Sequence, residues 1–283
     1  MNKKTGLVLE GGAMRGMFTA GVTDVLMEND IDFPAMVGVS AGAAFGCNYK
    51  SRQPGRVIRY NKRFCQDKRY CSIQSLLKTG DLYGAEFCYR TIPEELDVFD
   101  KKTFEENPMA FYVVCTNVFT GDPVYQRVDQ ADENGYLWMR ASASMPMVSR
   151  PVEVDGYTLL DGGMSDSIPL RFMQHKGFEK NVVVLTRPRK YIKKPNHPAL
   201  MKAMLRKHPE MARVMADRHK MYAFQREYVF ACERMGNTLV LCPDKPLGIS
   251  RTEHDPDKLQ AAYDEGVRIA TRELQKIKEF LQS

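Results

Sequence analysis

The sequence predicts an α/β fold built on a parallel sheet, and three observations carry that expectation. Two short apolar stretches, residues 5–10 and 36–39, each run into a glycine-rich turn. The segment between them, residues 15–29, has the length of a helix and carries Phe18, Val22, Val25 and Leu26 at helical spacing, one face for a sheet. Strand, amphipathic helix and strand make a βαβ unit, which favours parallel pairing of its two strands.

The later elements are read from pattern and punctuation. Pro54 to about Lys62 reads as a helix, while 71–99 is ambiguous, with Pro93 expected to end whatever precedes it. Residues 111–118 form a strong buried strand that Gly121-Asp122-Pro123 turns into 124–128, a hairpin. Residues 136–144 read as a helix closed before Pro146. A second hairpin joins 148–154 to 157–160 through Asp155-Gly156 and ends at Asp161. Residues 181–186 and 238–242 are further strands. Residues 256–282 make a long helix with Leu259, Tyr263, Val267, Ala270 and Leu274 on one face. With no repeat, low-complexity tract or linker, residues 1–283 are expected to form one α/β domain.

Composition excludes several classes. With 43% hydrophobic and 27% charged residues there is no case for disorder. No apolar run approaches the roughly 20 residues that cross a bilayer. The stretch Leu7-Val8-Leu9 breaks at Glu10, short of the roughly 7–15 residues of a signal-peptide core, so a cytoplasmic protein is expected. Seven scattered cysteines without C-x-x-C spacing read as reduced thiols. The absence of H-E-x-x-H, zinc-spaced cysteines and EF-hand loops gives no reason to expect a metal, and no cofactor is expected. No helix-turn-helix, RNP or zinc-finger pattern points to nucleic acid.

One segment departs from the rest. Residues 187–227 hold twelve Lys or Arg against three acids, in a chain whose formal net charge is only +6. Met201, Met204, Met211, Met215 and Met221 lie among these charges, and aromatic residues close the segment near 230. A basic helix with a pliable apolar face lies on an anionic membrane or covers a lipid-binding cleft. The commoner arrangement is a helix packed on the core with a solvated basic face. Both readings stand at this point.

The chemistry concentrates in two glycine clusters. Gly38-Val39-Ser40-Ala41-Gly42 follows the second strand, and G-x-S-x-G on a strand-to-helix turn exposes a strained serine nucleophile. The small residues after Ser40 let the new helix approach the sheet, and the Ala41 N–H, aided by the helix dipole, points to where negative charge would develop. The plainer alternative is a serine that caps the helix. The earlier cluster, Glu10-Gly11-Gly12-Ala13-Met14-Arg15-Gly16, offers backbone donors for an oxyanion hole at Gly11, Gly12 and Ala13, with Arg15 orienting the loop or attracting an anion. A dinucleotide fingerprint would need glycine at Ala13, and the Walker pattern is absent. A nucleophilic serine needs a base. None of the five histidines falls in a loop directly after a strong strand, whereas Asp161, followed by Gly162 and Gly163, does. On local sequence alone Asp161 reads equally as that base and as part of a simple D-G turn.

Taken together, the glycine loop, G-x-S-x-G and the downstream D-G-G, in that order, resemble the patatin-like phospholipases over at least residues 5–170. Ala141-Ser142 through Pro146 is similar to a further stretch of that family. The resemblance implies a three-layer α/β/α fold with a mainly parallel central sheet and a Ser-Asp dyad. Ser40 would be the nucleophile and Asp161 the general base. Gly11, Gly12, Ala13 and Ala41 would donate to the oxyanion, and Arg15, Gly16, Gly38, Gly42, Gly162 and Gly163 would support the motifs. Two departures stand out: Ala13 replaces a glycine, which puts loop geometry in question, and Ser167 stands where asparagine is usual. The implied activity is hydrolysis of acyl esters in lipids, with a lipid or ester substrate, no cofactor, and peripheral contact with an anionic membrane. An acyltransferase using the same acyl-enzyme, and a membrane-surface adaptor with a vestigial dyad, are the alternatives.

Overall fold

The computed structural model describes residues 5–283. In chain order its elements are β1 (Thr5–Leu9), a 3-10 turn (Ala13–Arg15), α1 (Gly16–Glu28), β2 (Ala35–Val39), α2 (Ala41–Lys50), α3 (Arg56–Phe64), α4 (Ile73–Thr79), a wide π-type helix (Phe87–Leu96), α5 (Lys101–Glu106), β3 (Ala110–Asn117), β4 (Pro123–Arg127), α6 (Glu133–Ala143), β5 (Val152–Val154), β6 (Tyr157–Asp161), a second 3-10 turn (Gly162–Met164), α7 (Leu170–His175), β7 (Lys180–Val184), α8 (Pro198–Met204), α9 (Pro209–Arg234), β8 (Thr238–Leu241) and α10 (Pro256–Gln282).

All eight strands share one sheet. Five of them, in the order β3-β2-β1-β7-β8, are parallel; β4 and β6 pair with β3 antiparallel, and β5 pairs with β6 antiparallel. Alternation along β1 shows how the layers arise. Leu7 and Leu9 face α1 and α10, packing with Phe18, Val22 and Ile269. Val8 faces the opposite layer, where Leu170, Met173, Tyr222 and Val229 of α7 and α9 cover it. This is the three-layer arrangement with a mainly parallel sheet that the resemblance implies.

The register of β3 decides which strand ends meet. β2 pairs with β3 from Ala110 to Val114, and β4 pairs with it from Tyr112 to Thr116. Because these stretches overlap, β2 and β4 must lie on opposite edges. β6 pairs with Cys115 to Asn117, a stretch that overlaps β4, so it lies on the same edge as β2. β2 is parallel to β3 and β6 antiparallel, so their C-terminal ends meet head to head on that edge, at Val39–Ser40 and Asp161.

Several sequence expectations need correction. Pro93 does not end a helix but lies inside the wide helix at Phe87–Leu96. There the i→i+5 turn moves the preceding carbonyls out of the way of the proline ring, which an α-helix could not do. The second hairpin begins at Val152 rather than 148, because 145–148 form an irregular turn. The segment 187–227 is not one basic helix: an extended stretch leads into short α8 and then α9. Met201, Met211 and Met215 are buried against Val118, Leu160 and Met164, while Met204 is exposed. The expected face of α10 is rotated slightly. Leu259, Ala262, Gly266, Ile269, Ala270 and Ile277 are buried, with Tyr263, Val267 and Leu274 on its flank. No described helix is long and apolar enough to cross a membrane.

α1 is buried along nearly its whole length because α10 lies against it at close range. A Cβ on Gly266 would stand 2.1 Å from the Phe18 carbonyl oxygen, and one on Gly21 would stand 2.2 Å from that of Tyr263. Backbone cannot yield as a side-chain tip does. Gly266→Ala is therefore expected to lower stability by about 1–3 kcal/mol through overpacking, measured by thermal or urea denaturation.

Candidate active site

Ser40 is the residue on which β2 turns into α2. Its backbone sits at φ 54°, ψ −122°, a conformation that costs a non-glycine residue about 1–3 kcal/mol. Neighbouring groups hold it there. The Ser40 N–H donates to Ser142 Oγ at 2.9 Å, and Ser142 Oγ donates to the Val114 carbonyl at 2.6 Å. The end of α6 is thus clamped between the serine turn and β3. The turn also demands small neighbours: a Cβ on Gly42 would meet the Leu9 carbonyl at 2.4 Å, and one on Gly38 would meet that of Gly42 at 2.4 Å.

Asp161 arrives from the other direction along β3. Its N–H donates to the Ser144 carbonyl at 2.8 Å, and its own carbonyl accepts from Thr116 Oγ1 at 2.8 Å. The carboxylate divides its oxygens: Oδ1 accepts the Gly163 N–H at 2.7 Å, and Oδ2 accepts Ser40 Oγ at 2.6 Å. Gly162 has no room for a side chain, because a Cβ would stand 2.0 Å from the Val114 carbonyl oxygen. On the far side of Gly163, Arg218 Nε of α9 donates to its carbonyl at 2.6 Å. Burial pushes the Asp161 carboxyl above the ordinary carboxylate range. The Ser40 hydroxyl, the Arg218 charge, the Gly163 N–H and Arg251 oppose that shift.

The glycine loop after β1 packs against the serine turn. A Cβ on Gly11 would lie 2.9 Å from Ser40 Cβ and 2.8 Å from the Val39 carbonyl oxygen, and Gly16 abuts Ala41 and Phe45. The N–H groups of Gly11 and Gly12 make no hydrogen bond to a described residue. Ala13 adopts φ 49°, so the position where alanine replaces glycine is a left-handed one, at a cost of roughly 1–2 kcal/mol.

Ser40 opens onto two cavities. One is mainly apolar and aromatic, walled by Phe45, Tyr60, Tyr89, Ile92, Phe99 and Met139. The two arginines in its wall, Arg56 and Arg140, are neutralised by Asp97 and Asp81. The other holds about 360 Å³, within the roughly 300–1,000 Å³ of small-molecule sites. It lies outside the C-terminal ends of β1 and β7, where the strand order reverses, the usual ligand crevice of an open α/β sheet. Arg15, Arg187, Lys193, Arg218 and Arg251 line it, together with Glu10 and Asp161. Burial and Arg187 hold Arg15 down to about 10, and burial with Arg218 and Arg251 holds Lys193 down to about 7. Glu10 is occupied: it accepts the Thr186 N–H and the Tyr222 hydroxyl.

The structure therefore brings Ser40, Asp161, the glycine loop and Arg15 to one place. No described histidine lines either cavity. Ser142 and Glu10 have no role legible in the sequence, although both lie inside motifs that stand out there. Lys193 and Arg218 stand out in the sequence only as members of the basic segment and Arg251 carries no local signal, since only the tertiary fold returns α9 and the 250 loop to β1.

The comparisons agree with this architecture. The family model described as patatin-like phospholipase matches residues 7–173, more than half of the chain, and the chain belongs to that family. Residues 208–282 match a model described as a domain of unknown function (DUF6363). Among individual relatives, the chain is 31% identical over 199 residues to the uncharacterized protein YjjU of Escherichia coli, covering 64% of this chain and 52% of that one. It is 28% identical over 190 residues to Lysophospholipase NTE1 of Meyerozyma guilliermondii, covering 65% of this chain and 12% of the fungal protein. The chain thus spans about half of the first relative and a small part of the second. The solved structure of VipD from Legionella pneumophila superimposes over 97% of this chain and 67% of its own at a TM-score of 0.50 and 14% identity, a likeness of fold.

The raised pKa of Asp161 sets the sign of a stability effect. A fold that raises a carboxyl's pKa favours its protonated form, so stability is lost as pH climbs through the raised value. Asp161→Asn, neutral at every pH, is expected to raise Tm relative to the parent at about pH 8, with the gap closing toward about pH 4 in differential scanning calorimetry.

Proposed function

We propose that this protein is a serine hydrolase that cleaves acyl esters of lipids, with Ser40 as nucleophile and Asp161 as general base. The observation that carries the reading is the 2.6 Å contact between Ser40 Oγ and Asp161 Oδ2, at the mouth of an apolar cavity, in a member of the patatin-like phospholipase family. As Oγ attacks the ester carbonyl, Asp161 Oδ2 takes its proton, and a carboxyl raised by burial is a better base for that task than an ordinary one. The N–H groups of Gly11, Gly12, Ala13 and Ala41 supply the developing oxyanion with donors. Collapse expels the alcohol, which recovers the proton from Asp161. Water then attacks the acyl-enzyme carbonyl and gives a proton to Asp161, and collapse releases the acid as Ser40 Oγ recovers that proton from Asp161. The backbone strain at Ser40 supports this assignment, because a helix cap alone gives no reason to hold a serine at φ 54°.

In this reading the acyl chain occupies the apolar cavity, and residues 208–282 complete the patatin sheet through β8 rather than forming a unit of their own. Peripheral membrane contact is assigned to α4 and the adjoining turn instead of the Met-rich segment, three of whose methionines are buried in the core. Ile73 and Leu77, one helical turn apart, are 72% and 82% exposed, and Met147 at the cleft mouth is 42% exposed. The chain leaving α4 reaches the cleft at once, where Leu82 donates to the Val148 carbonyl.

Ser40→Ala and Asp161→Asn should each lower hydrolysis of p-nitrophenyl and lysolipid esters by at least about a thousandfold in folded protein. Retention of most activity in either variant rejects the pair as the catalytic machinery. Replacing Ile73 and Leu77 together by serine should weaken co-sedimentation with anionic vesicles severalfold, and unchanged binding would remove α4 from the membrane-facing surface.

A further inference from the structure

We propose that the cleft between β1 and β7 is a phosphate-binding site, built by Arg15, Arg187, Lys193, Arg218 and Arg251, that selects lipid headgroups whose phosphate carries no compensating cation. It rests on the reading of Ser40 as a lipid-ester nucleophile and names the substrate class that this nucleophile serves.

Five cations and two carboxylates line this cleft. Both carboxylates are already engaged, Asp161 by Ser40 and Gly163 and Glu10 by Thr186 and Tyr222. None of the five cations lies within 4 Å of a described carboxylate oxygen, whereas sixteen other described Lys or Arg residues do. The contrast with the neighbouring apolar cavity is direct, since both of its arginines have acidic partners. The Nε of Arg15 is buried and has no hydrogen-bond partner among the described residues. Aromatic faces hold two of the others without neutralising them: Arg187 lies 4.3 Å from the Tyr191 ring centre and Lys193 5.1 Å from that of Tyr222. Arg15 and Lys193 both titrate below their ordinary values, the mark of cations crowded out of water and short of counter-charge.

An anion relieves that crowding, and arginine forks match the oxygens of a phosphate. The geometry of a glycerolipid fits the two cavities. Its acyl ester and its phosphate lie on the same short glycerol unit, so a chain in the apolar cavity, with its carbonyl at Ser40, delivers the phosphate to the cationic side. A choline or ethanolamine headgroup would bring its own cation into a cleft that already has an excess of three. A phosphoglycerol or phosphomonoester group brings none. Four of the five residues, Arg187, Lys193, Arg218 and Arg251, lie outside the stretch matched by the family model, residues 7–173, so most of the site comes from this chain's C-terminal part.

Titration calorimetry on the Ser40→Ala protein, with the lysolipid recovered intact afterwards, reads binding rather than turnover, so its outcome stands apart from the assignment of the nucleophile. Lysophosphatidylglycerol is expected to bind at least about tenfold tighter than lysophosphatidylcholine of the same chain length, a difference of about 1.4 kcal/mol. In the same background, Arg187→Gln with Arg251→Gln should abolish that preference, and Lys193→Met should reduce it. The exposed-charge change Lys102→Ala should preserve it. Circular dichroism checks that each variant is folded, and Lys193→Met alone decides if the double variant is not. Inorganic phosphate should compete with lysophosphatidylglycerol. Equal affinity for the two lysolipids, or a preference that survives the Arg187 and Arg251 changes, overturns the proposal. Phosphate binding that leaves the lysolipid undisplaced overturns its assignment to a headgroup and points to free phosphate.

Discussion

A strand edge has one set of hydrogen-bonding groups, and two neighbours can share it only by taking successive stretches. That constraint on β3 organises the site. β2 uses the edge as far as Val114 and β6 takes over at Cys115, one parallel and the other antiparallel to β3, so their last residues converge. Ser40 and Asp161 are neighbours because of strand register rather than loop design. The second tier of contacts reads the same way: Ser142 reaches the Val114 carbonyl and Thr116 the Asp161 carbonyl, all within the few residues of β3 where the handover occurs. A one-residue slip of β6 would invert every side chain on it and turn the carboxylate to the other face of the sheet.

Around that junction the molecule separates two kinds of solvent. On one side aromatic and aliphatic walls surround a cavity whose few charges are internally paired. On the other, unpaired cations gather at the point where strand order reverses. A serine at that boundary faces both kinds of surface at once, which is what the proposed amphiphilic substrate requires. Burial at that boundary also raises the basicity of Asp161, while the Ser40 hydroxyl, Arg218, the Gly163 N–H and Arg251 limit that rise.

The parallel core of the fold and the chemistry-bearing motifs were legible in the sequence because they are local. Glycines stand where backbones approach within van der Waals range, as at Gly42 against Leu9, and the apolar runs of β1, β2 and β3 are continuous because both faces are covered. Ala13 was legible even as an anomaly, and the backbone there is indeed left-handed. The contact of Asp161 with Ser40 was not available locally, since a D-G pair looks the same in a plain turn and only the pairing of β6 with β3 brings the carboxylate to the serine. Pro93 misled because a π-type helix has no signature apart from tolerance of what an α-helix rejects. The basic segment left two readings open for a different reason: its charge surplus is real, but part of it faces inward toward the cleft, and composition has no direction.

The separation of Ser40 from Asp161 by 121 positions has a biosynthetic meaning. A chain still being made carries the serine turn and its glycine loop long before β6 exists. Two further ties, Thr186 to Glu10 and Arg218 to Gly163, come from still later residues. Contacts of such sequence range form late in folding because loop-closure entropy must be overcome first. A nascent chain therefore presents a serine without its carboxylate partner, and the pair and its later ties are complete only when the C-terminal half has closed over the sheet.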